Sequence, residues 1–585
     1  MAECTGVAFM LIAALAVLAW SFTSPAWAAT QNEIQKLLPS DGVEGDRFGG
    51  SVALHGDTAV IGGLGSHYNG WTAGSAYVFT RGAGGGWIEQ QKLNPSDAAT
   101  HNLGYWSVAV DGDTAVIGAR GDDDNGFRSG SAYVFMRNAA GIWTEQQKLT
   151  ASNAAERHSF GAAVAVDGDT AVIVATGAAS AYVFERSAEG VWYETYVLTA
   201  SGVGFGSSVA MQENTVLIGT FGGWDVWGDR QDAAYVFTRG AGGGWTEQQK
   251  LIVRDYGAYH GTPFNVSVAI DGNTAVIGSC FNHYSQIGIA YVFTRGAGGY
   301  FIEQQKLTTS DSEAGHEFGC SVAVDGDAAL IGASSYDDAT GSAYVFTRGA
   351  GGYFIEQQKL SASDGANYQW FGSSLAMDSQ TAVIGAWGDD DNGFDSGSAY
   401  VFRVRRFDDV QPGYWAFSFI ETLAASDITA GCGGDSYCPE DPVTRAQMAV
   451  FLERCMRGSG YSPPAATGNT FLDVGASDFA AAFIEQLYLD GITAGCGNNN
   501  YCSNDAVTRA QMAVFLLRAE HGAGYSPPPP VGLFADVDLS HWAVAWIEQL
   551  AAEGVTVGCG GGNYCPQNPA TRAQMAVFLV RTFGL

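Results

Sequence analysis

Seven recurrences of one β-rich unit, followed by three copies of a helical one, predict a multidomain chain: an all-β seven-bladed propeller and then an α-helical three-repeat domain. Three observations carry this. The string Ala-Tyr-Val-Phe places its tyrosine at Tyr77, Tyr133, Tyr182, Tyr235, Tyr291, Tyr344 and Tyr400, 49 to 56 residues apart. Ahead of each stands a Thr-Ala-Val-Ile-Gly type string, beginning at Thr58, Thr114, Thr170, Thr215, Thr274, Asp327 and Thr381. From Phe407 onward both strings stop, and a Phe-x-Asp-Val string heads three stretches of helical periodicity, at Phe407, Phe471 and Phe534.

Each β unit opens on a Ser-Val-Ala-Val type run, usually behind Phe-Gly, as at Phe48-Gly49, Phe160-Gly161, Phe205-Gly206, Phe318-Gly319 and Phe371-Gly372. Four short strands result, in the sixth copy 321–324, 328–332, 342–347 and 354–360. Asp-Gly-Asp or a close variant, such as Asp111-Gly112-Asp113, joins the first two, because glycine supplies the positive φ of a tight hairpin. Thr-Arg-Gly-Ala-Gly-Gly joins the third and fourth. Four antiparallel strands about every 50 residues make propeller blades, whereas a β-solenoid needs shorter, parallel rungs. The Gln-Lys-Leu strand occurs first at Glu33–Leu37, before any blade, and is missing after the seventh Tyr-Val-Phe. The first strand is therefore expected to complete the last blade and leave no open edge, within a propeller spanning 29–406.

These units resemble FG-GAP repeats, the propeller repeats of integrin α-subunits and many bacterial surface proteins, over about residues 31–405. The second unit (Tyr105-Trp106) and the fifth (Phe264-Asn265) depart from Phe-Gly. Strand alternation puts the near-identical hairpins on one face and the variable second-to-third and blade-to-blade loops on the other, so the variable face is the candidate binding surface. Two of its loops carry Asp122, Asp123, Asp124 and Asp389, Asp390, Asp391, each run followed by Asn-Gly. Such carboxylates are candidate calcium ligands, the alternative being acidic turns held by their own hydrogen bonds. The calcium loop of integrin-type repeats lies between the first and second strands; here that link is a two-residue turn, so the family's site is not carried over. Cys280 and Cys320 fall on one face of neighbouring blades, where a disulfide is expected, with two free thiols as the alternative.

The helical copies span 407–458, 471–522 and 534–585, separated by Pro-rich linkers at 461–464 and 525–530. In each, Thr-Arg-Ala-Gln opens an apolar helix: a capping box in which Thr444, Thr508 and Thr571 accept from N3 amides and Gln447, Gln511 and Gln574 reach back. The cap leaves Arg445, Arg509 and Arg572 unexplained, because the helix dipole disfavours a cation in the first turn; a cation beside exposed helix amides makes an anion site. Each copy also holds a Cys-x5-Cys pair, Cys432-Cys438, Cys496-Cys502 and Cys559-Cys565. Two thiols without a partnered histidine fall short of a zinc site, and an exported chain favours disulfides; Cys455 is left over.

The three copies resemble S-layer homology motifs, which anchor proteins to anionic cell-wall polymers through three motifs packed as a pseudo-trimer. The resemblance implies that Arg445, Arg509 and Arg572 contact polymer charges, helped by Trp415 and Trp542. This chain has Gln447, Gln511 and Gln574 where the family usually carries Glu, and Phe479 where the first and third copies have Trp.

The remaining composition narrows the function. The 585 residues carry 60 acidic against 28 basic side chains, a formal charge of −32, which excludes a phosphate-backbone binder. An apolar run over 9–19 followed by Ala26-Trp27-Ala28 reads as a secretory signal peptide, 1–28. Its n-region has only Glu3 and no Lys or Arg, so a non-cleaved anchor or a mis-assigned start stands as the alternative. No later stretch has the length of a transmembrane span. No Gly-x-Ser-x-Gly elbow, phosphate loop or His-Glu-x-x-His occurs, and His101, His158, His260, His283 and His316 lack metal spacing. The expectation is a non-catalytic, exported bacterial cell-surface protein that needs no cofactor. Its propeller adheres to an unidentified protein or glycan, and its repeats hold an envelope polysaccharide. The alternative is a secreted polysaccharide hydrolase or lyase working from the variable face.

Overall fold

The computed structural model describes residues 33–585 apart from 64–73, 83, 98–102, 201–204, 221–222, 225–229, 254–262, 282–287, 312–316, 335–339, 349–351, 405–406, 408, 411–413, 427 and 434–435. The expected signal peptide and His101, His260, His283 and His316 lie outside the described residues, as do the side chains of Tyr105-Trp106 and Phe264-Asn265.

Seven antiparallel sheets form the blades. Blade 2 shows the pattern: an inner strand Leu103–Asp111, then Thr114–Ala119, Ser131–Arg137 and an outer strand Trp143–Leu149. Blade 4 departs from four strands by adding the short strand Gly223–Trp224. Second strands such as Thr114–Ala119 are buried end to end, which explains their unbroken apolar sequence. In outer strands only the ends are buried, as at Trp143 and Leu149.

The seventh blade is completed by Glu33–Leu37, which pairs antiparallel with Ser398–Arg403. The N-terminal strand copies even the irregularity of the others. In blades 1 to 6 the outer strand is bulged within its Glu-x-x string, and here the register shifts between Glu33 and Gln35.

Phe-Gly and Ile-Gly form one contact between neighbouring blades. Phe48 is fully buried against the Tyr77 ring, centroids 5.4 Å apart. Gly49 follows at φ +86°, and a Cβ there would lie 2.1 Å from the Ser398 carbonyl oxygen. A Cβ on Gly385, in the Ile-Gly string of blade 7, would lie 1.9 Å from the Gly49 carbonyl oxygen. The two glycines let the blades touch backbone to backbone, and Ser374 Oγ donates to Gly49 O at 2.7 Å.

The C-terminal domain pairs a short and a long helix in each unit: α1 (Phe417–Ala425) and α2 (Arg445–Arg457), α3 (Ala481–Leu489) and α4 (Arg509–His521), α5 (Val544–Ala552) and α6 (Arg572–Phe583). The long helices contact one another, and each short helix packs on the long helix of another unit: α3 on α2, α5 on α4, α1 on α6. One core runs through all three. Three backbone bonds of 2.9 Å close the ring, Val443 N to Ala570 O, Val507 N to Val443 O and Ala570 N to Val507 O. No helix among the described residues is long and apolar enough to cross a membrane.

Candidate functional site

On the variable face the two aspartate loops are brought to carboxylate clusters, but the clusters close around lysine. Lys148, from the outer strand of blade 2, lies 2.6, 2.7 and 2.6 Å from Asp97, Asp122 and Asp124. Lys36 does the same in blade 7, at 2.7, 2.9 and 2.7 Å from Asp364, Asp389 and Asp391. Asp122 and Asp389 are fully buried, and Tyr133 and Tyr400 donate to them. Burial alone would depress each ammonium's pKa, but the surrounding carboxylates outweigh it and hold both well above the ordinary lysine range. Asp122 and Asp124 with Asp97, and Asp389 and Asp391 with Asp364, lie close enough together to hold an ion, and in this structure a lysine ammonium joins each cluster. Asp123 and Asp390 turn away to accept from the amides of Arg128 and Asp395.

Cys280 and Cys320 are bonded across blades 5 and 6, and Cys432-Cys438, Cys496-Cys502 and Cys559-Cys565 are bonded within their loops. Cys455 is free and half-buried, and burial raises its thiol to about 12, which leaves it inert as a nucleophile at neutral pH.

In the helical ring, Thr444 and Gln447 exchange both bonds of a capping box, as do Thr508 and Gln511. The third box is half-made. Thr571 accepts from Gln574 N, but the Gln574 side chain instead accepts from Arg509 Nη1 at 3.1 Å.

The expectation of arginines beside exposed helix amides is corrected. The first-turn amides are taken by another unit: Arg445 N and Ala446 N donate to Asp505 O and Ser503 O, Arg509 N and Ala510 N to Asn568 O and Pro566 O, Arg572 N and Ala573 N to Asp441 O and Pro439 O. Each guanidinium is buried, 3% exposed, and crosses a unit boundary. Arg445 Nε donates to Tyr501 O at 2.6 Å, Arg509 Nε to Tyr564 O at 2.8 Å and Arg572 Nε to Tyr437 O at 2.6 Å. The tyrosine hydroxyls return the bond to the arginine carbonyls at 2.8 to 2.9 Å, and each guanidinium lies 4.6 to 4.8 Å from the ring it faces. Burial pushes all three below the usual arginine range. Each keeps a buried Nη2 without a hydrogen-bond partner, and among the described residues none has an ion-pair carboxylate. The Phe-x-Asp-Val aspartates are structural: Asp473 accepts from the amides of Tyr501 and Cys502, both at 2.7 Å.

Among the large apolar side chains this domain exposes are three aromatics in register. Trp415, Phe479 and Trp542, at equivalent positions before the three short helices, are 53, 70 and 62% exposed. The Phe479 substitution therefore keeps an exposed ring. The Arg–Tyr interlock was not read from the sequence, although a tyrosine precedes the second cysteine of every pair.

A closed repeat propeller joined to a three-unit helical ring defines a protein of modular repeat type. The FG-GAP repeat family model matches residues 32–79, 87–135, 143–184, 245–293, 301–346 and 354–402, and the S-layer homology domain model matches 406–449, 470–513 and 533–576. The chain is an FG-GAP repeat protein carrying three S-layer homology domains. It is 29% identical over 180 residues to an amylopullulanase of Thermoanaerobacterium thermosulfurigenes, which covers 30% of this chain and 9% of that protein. It is 25% identical over 178 residues to the S-layer protein EA1 of Bacillus anthracis, 30% of this chain and 20% of that one. The chain thus spans a fifth or less of the length of these relatives. The solved periplasmic gluconolactonase of Pseudomonas aeruginosa is similar at TM-score 0.38 and 15% identity, over 54% of this chain and 86% of that one.

Proposed function

We propose that the chain is a non-catalytic adhesion protein of the cell surface, held non-covalently by its S-layer homology ring to an anionic envelope polysaccharide while the variable propeller face binds a protein or glycan. The observation that carries the anchoring half is the ring itself, three S-layer homology units closed on one another. Trp415, Phe479 and Trp542 supply exposed contact surface, while Arg445, Arg509 and Arg572, buried at the unit boundaries, hold the ring that presents it. A relative of this domain is named as an S-layer protein, which supports the same reading. For the propeller, the two aspartate clusters are each paired with a lysine, which favours a binding scaffold over a hydrolase that needs a free carboxylate pair there.

The test is co-sedimentation of the full chain with purified envelope polysaccharide. Trp415→Ala with Trp542→Ala is expected to lower retention at least tenfold with Tm unchanged. Arg445→Gln is expected to lower Tm first. Retention untouched by the double aromatic variant overturns the surface contact. Release of reducing ends from polysaccharide replaces adhesion with hydrolysis.

A further inference from the structure

The propeller contains its own control experiment. The blade 2 loop 119–131 and the blade 7 loop 386–398 differ at two positions only: Arg120 against Trp387, and Arg128 against Asp395. Their internal bonds coincide. Asp124 N and Asp391 N donate to Asp122 Oδ1 and Asp389 Oδ1, and Ser129 Oγ and Ser396 Oγ donate to Asp122 O and Asp389 O. Blade 2 therefore builds the loop with arginine at the first position, so Trp387 is not required for the fold.

In blade 7 that indole stacks on Trp370, centroids 5.3 Å apart and planes 14° from parallel. The Arg47 guanidinium lies 5.0 Å from the Trp387 ring and pairs with Asp395 at 2.9 Å. Asp395 is the second of the two differing positions. Tyr368, two residues before Trp370, is 63% exposed, and both stand at positive φ, +68° and +57°. A Cβ on Gly388 would fall 2.2 Å from Tyr368 O and 2.8 Å from Trp370 Cδ1, so the two loops interlock tightly beneath the aromatics.

We propose that Trp370, Trp387, Arg47 and Asp395, with Tyr368 beside them, form a site for a neutral pyranose ring of a saccharide chain; it rests on the reading of the variable face as the ligand face. The chemistry selects the class. Trp387 carries Trp370 stacked on it and Arg47 over its ring, so it props the Trp370 indole. Trp370 with the exposed Tyr368 offers the apolar surface that meets the C–H face of a sugar, and the adjacent Arg–Asp pair offers donors and an acceptor to vicinal hydroxyls. A cationic group needs rings arranged around it, and here Trp387 already carries the Arg47 cation. An anionic sugar would meet Asp390, Asp391 and Asp395 on a chain of formal charge −32.

The full chain is tested against an array of neutral, uronic and amino-sugar oligosaccharides with a lysine-rich peptide alongside, then by calorimetry with the best neutral hexasaccharide. Neutral glycans are expected to bind. Trp387→Arg, which copies the blade 2 loop, is expected to weaken binding at least tenfold with Tm unchanged, and Asp395→Arg is expected to do likewise. Binding only to the peptide or to charged sugars, binding to no probe, or neutral-sugar binding untouched by Trp387→Arg overturns the site. If that retained binding is abolished by Phe127→Asp in the blade 2 loop, this site fails and the variable face survives. If neither substitution matters, both readings fail.

Discussion

At the scale of the residue, the Asp–Lys knots show what an outer-strand lysine does. Lys148 pairs with three carboxylates at once, one of them the fully buried Asp122. Blade 3 has Val197 where blade 2 has Lys148, and there the residue equivalent to Asp97 is Asn153, whose side-chain oxygen accepts from Tyr182 at 2.6 Å. Charge is lost from both partners together, as expected when an unpaired buried carboxylate is costly. Lys148→Met should therefore destabilise the propeller by about 3 kcal/mol, by analogy with breaking a buried ion pair. Thermal unfolding checks it: the wild type should show no stabilisation by millimolar calcium, and the variant should be partly rescued. The Asp runs were legible in the sequence, but their partner was not. Lys148 sits 24 residues beyond Asp124 on another strand, and only the joint loss of Lys and Asp in blade 3 signals the pair. The Arg–Tyr interlock was hidden for the same reason, its partners being 55, 56 and 135 residues apart.

At the scale of the element, the repeated Glu-Gln-Gln-Lys-Leu string proves to be an inter-blade clasp. Gln91 of blade 1 donates to Trp143 O at 2.7 Å and accepts from Trp143 N at 2.9 Å, and Glu145 accepts from both the amide and hydroxyl of Ser96. The strands themselves were legible because burial follows their pattern; the clasp was not, because polar repeats on an outer strand read equally well as solvated surface. Gln91→Ala should cost about 1–2 kcal/mol, the value of two modest hydrogen bonds, read as a shift in urea midpoint without a change in m. In the helical ring, Glu453 of α2 is fully buried and accepts from Arg457 Nε at 2.9 Å. Burial, with Asp490 adding repulsion, pushes its carboxyl up to about 7 from 4.5. A raised acid binds a proton on folding, so its stabilisation is complete below about pH 4.5 and is lost as pH rises through about 7. Glu453→Gln should flatten the Tm profile of the ring across that window and raise stability at pH 8 by about 1–2 kcal/mol. A variant with the same slope as the wild type would place the titration elsewhere.

At the scale of the whole molecule, both domains are repeats that close on themselves, and the sequence revealed the two closures unequally. The propeller's was legible because one strand was missing at one end and surplus at the other. The N-terminal strand makes the same clasp as any outer strand: Gln35 with the Trp87 backbone, Glu33 with Ser363, Lys36 with Asp364. The ring of helices gave no such count, since each unit looks complete in sequence. In the structure none is. Unit 1 needs Asp505 O and Tyr501 O from unit 2 for α2, unit 2 needs Asn568 O and Tyr564 O from unit 3, and unit 3 needs Asp441 O and Tyr437 O from unit 1. Two pictures of anchoring then differ in outcome. Independent modules would lose about a third of their binding when one is removed, whereas neighbour-dependent repeats lose the stability of every interface at once. Deleting 534–585 strips Arg509 of its Tyr564 partner, leaves Tyr437 without Arg572 and exposes the α1 face that packs on α6. These contacts, the packing of α5 on α4 and the ring-closing bonds to Ala570 are opened together, each worth about 1–3 kcal/mol, against a domain stability of about 5–15 kcal/mol. The truncated chain should therefore lose envelope retention more than tenfold and show protease cleavage within 407–522, while the propeller keeps its Tm. Retention near two thirds of the full chain would instead make the units independent.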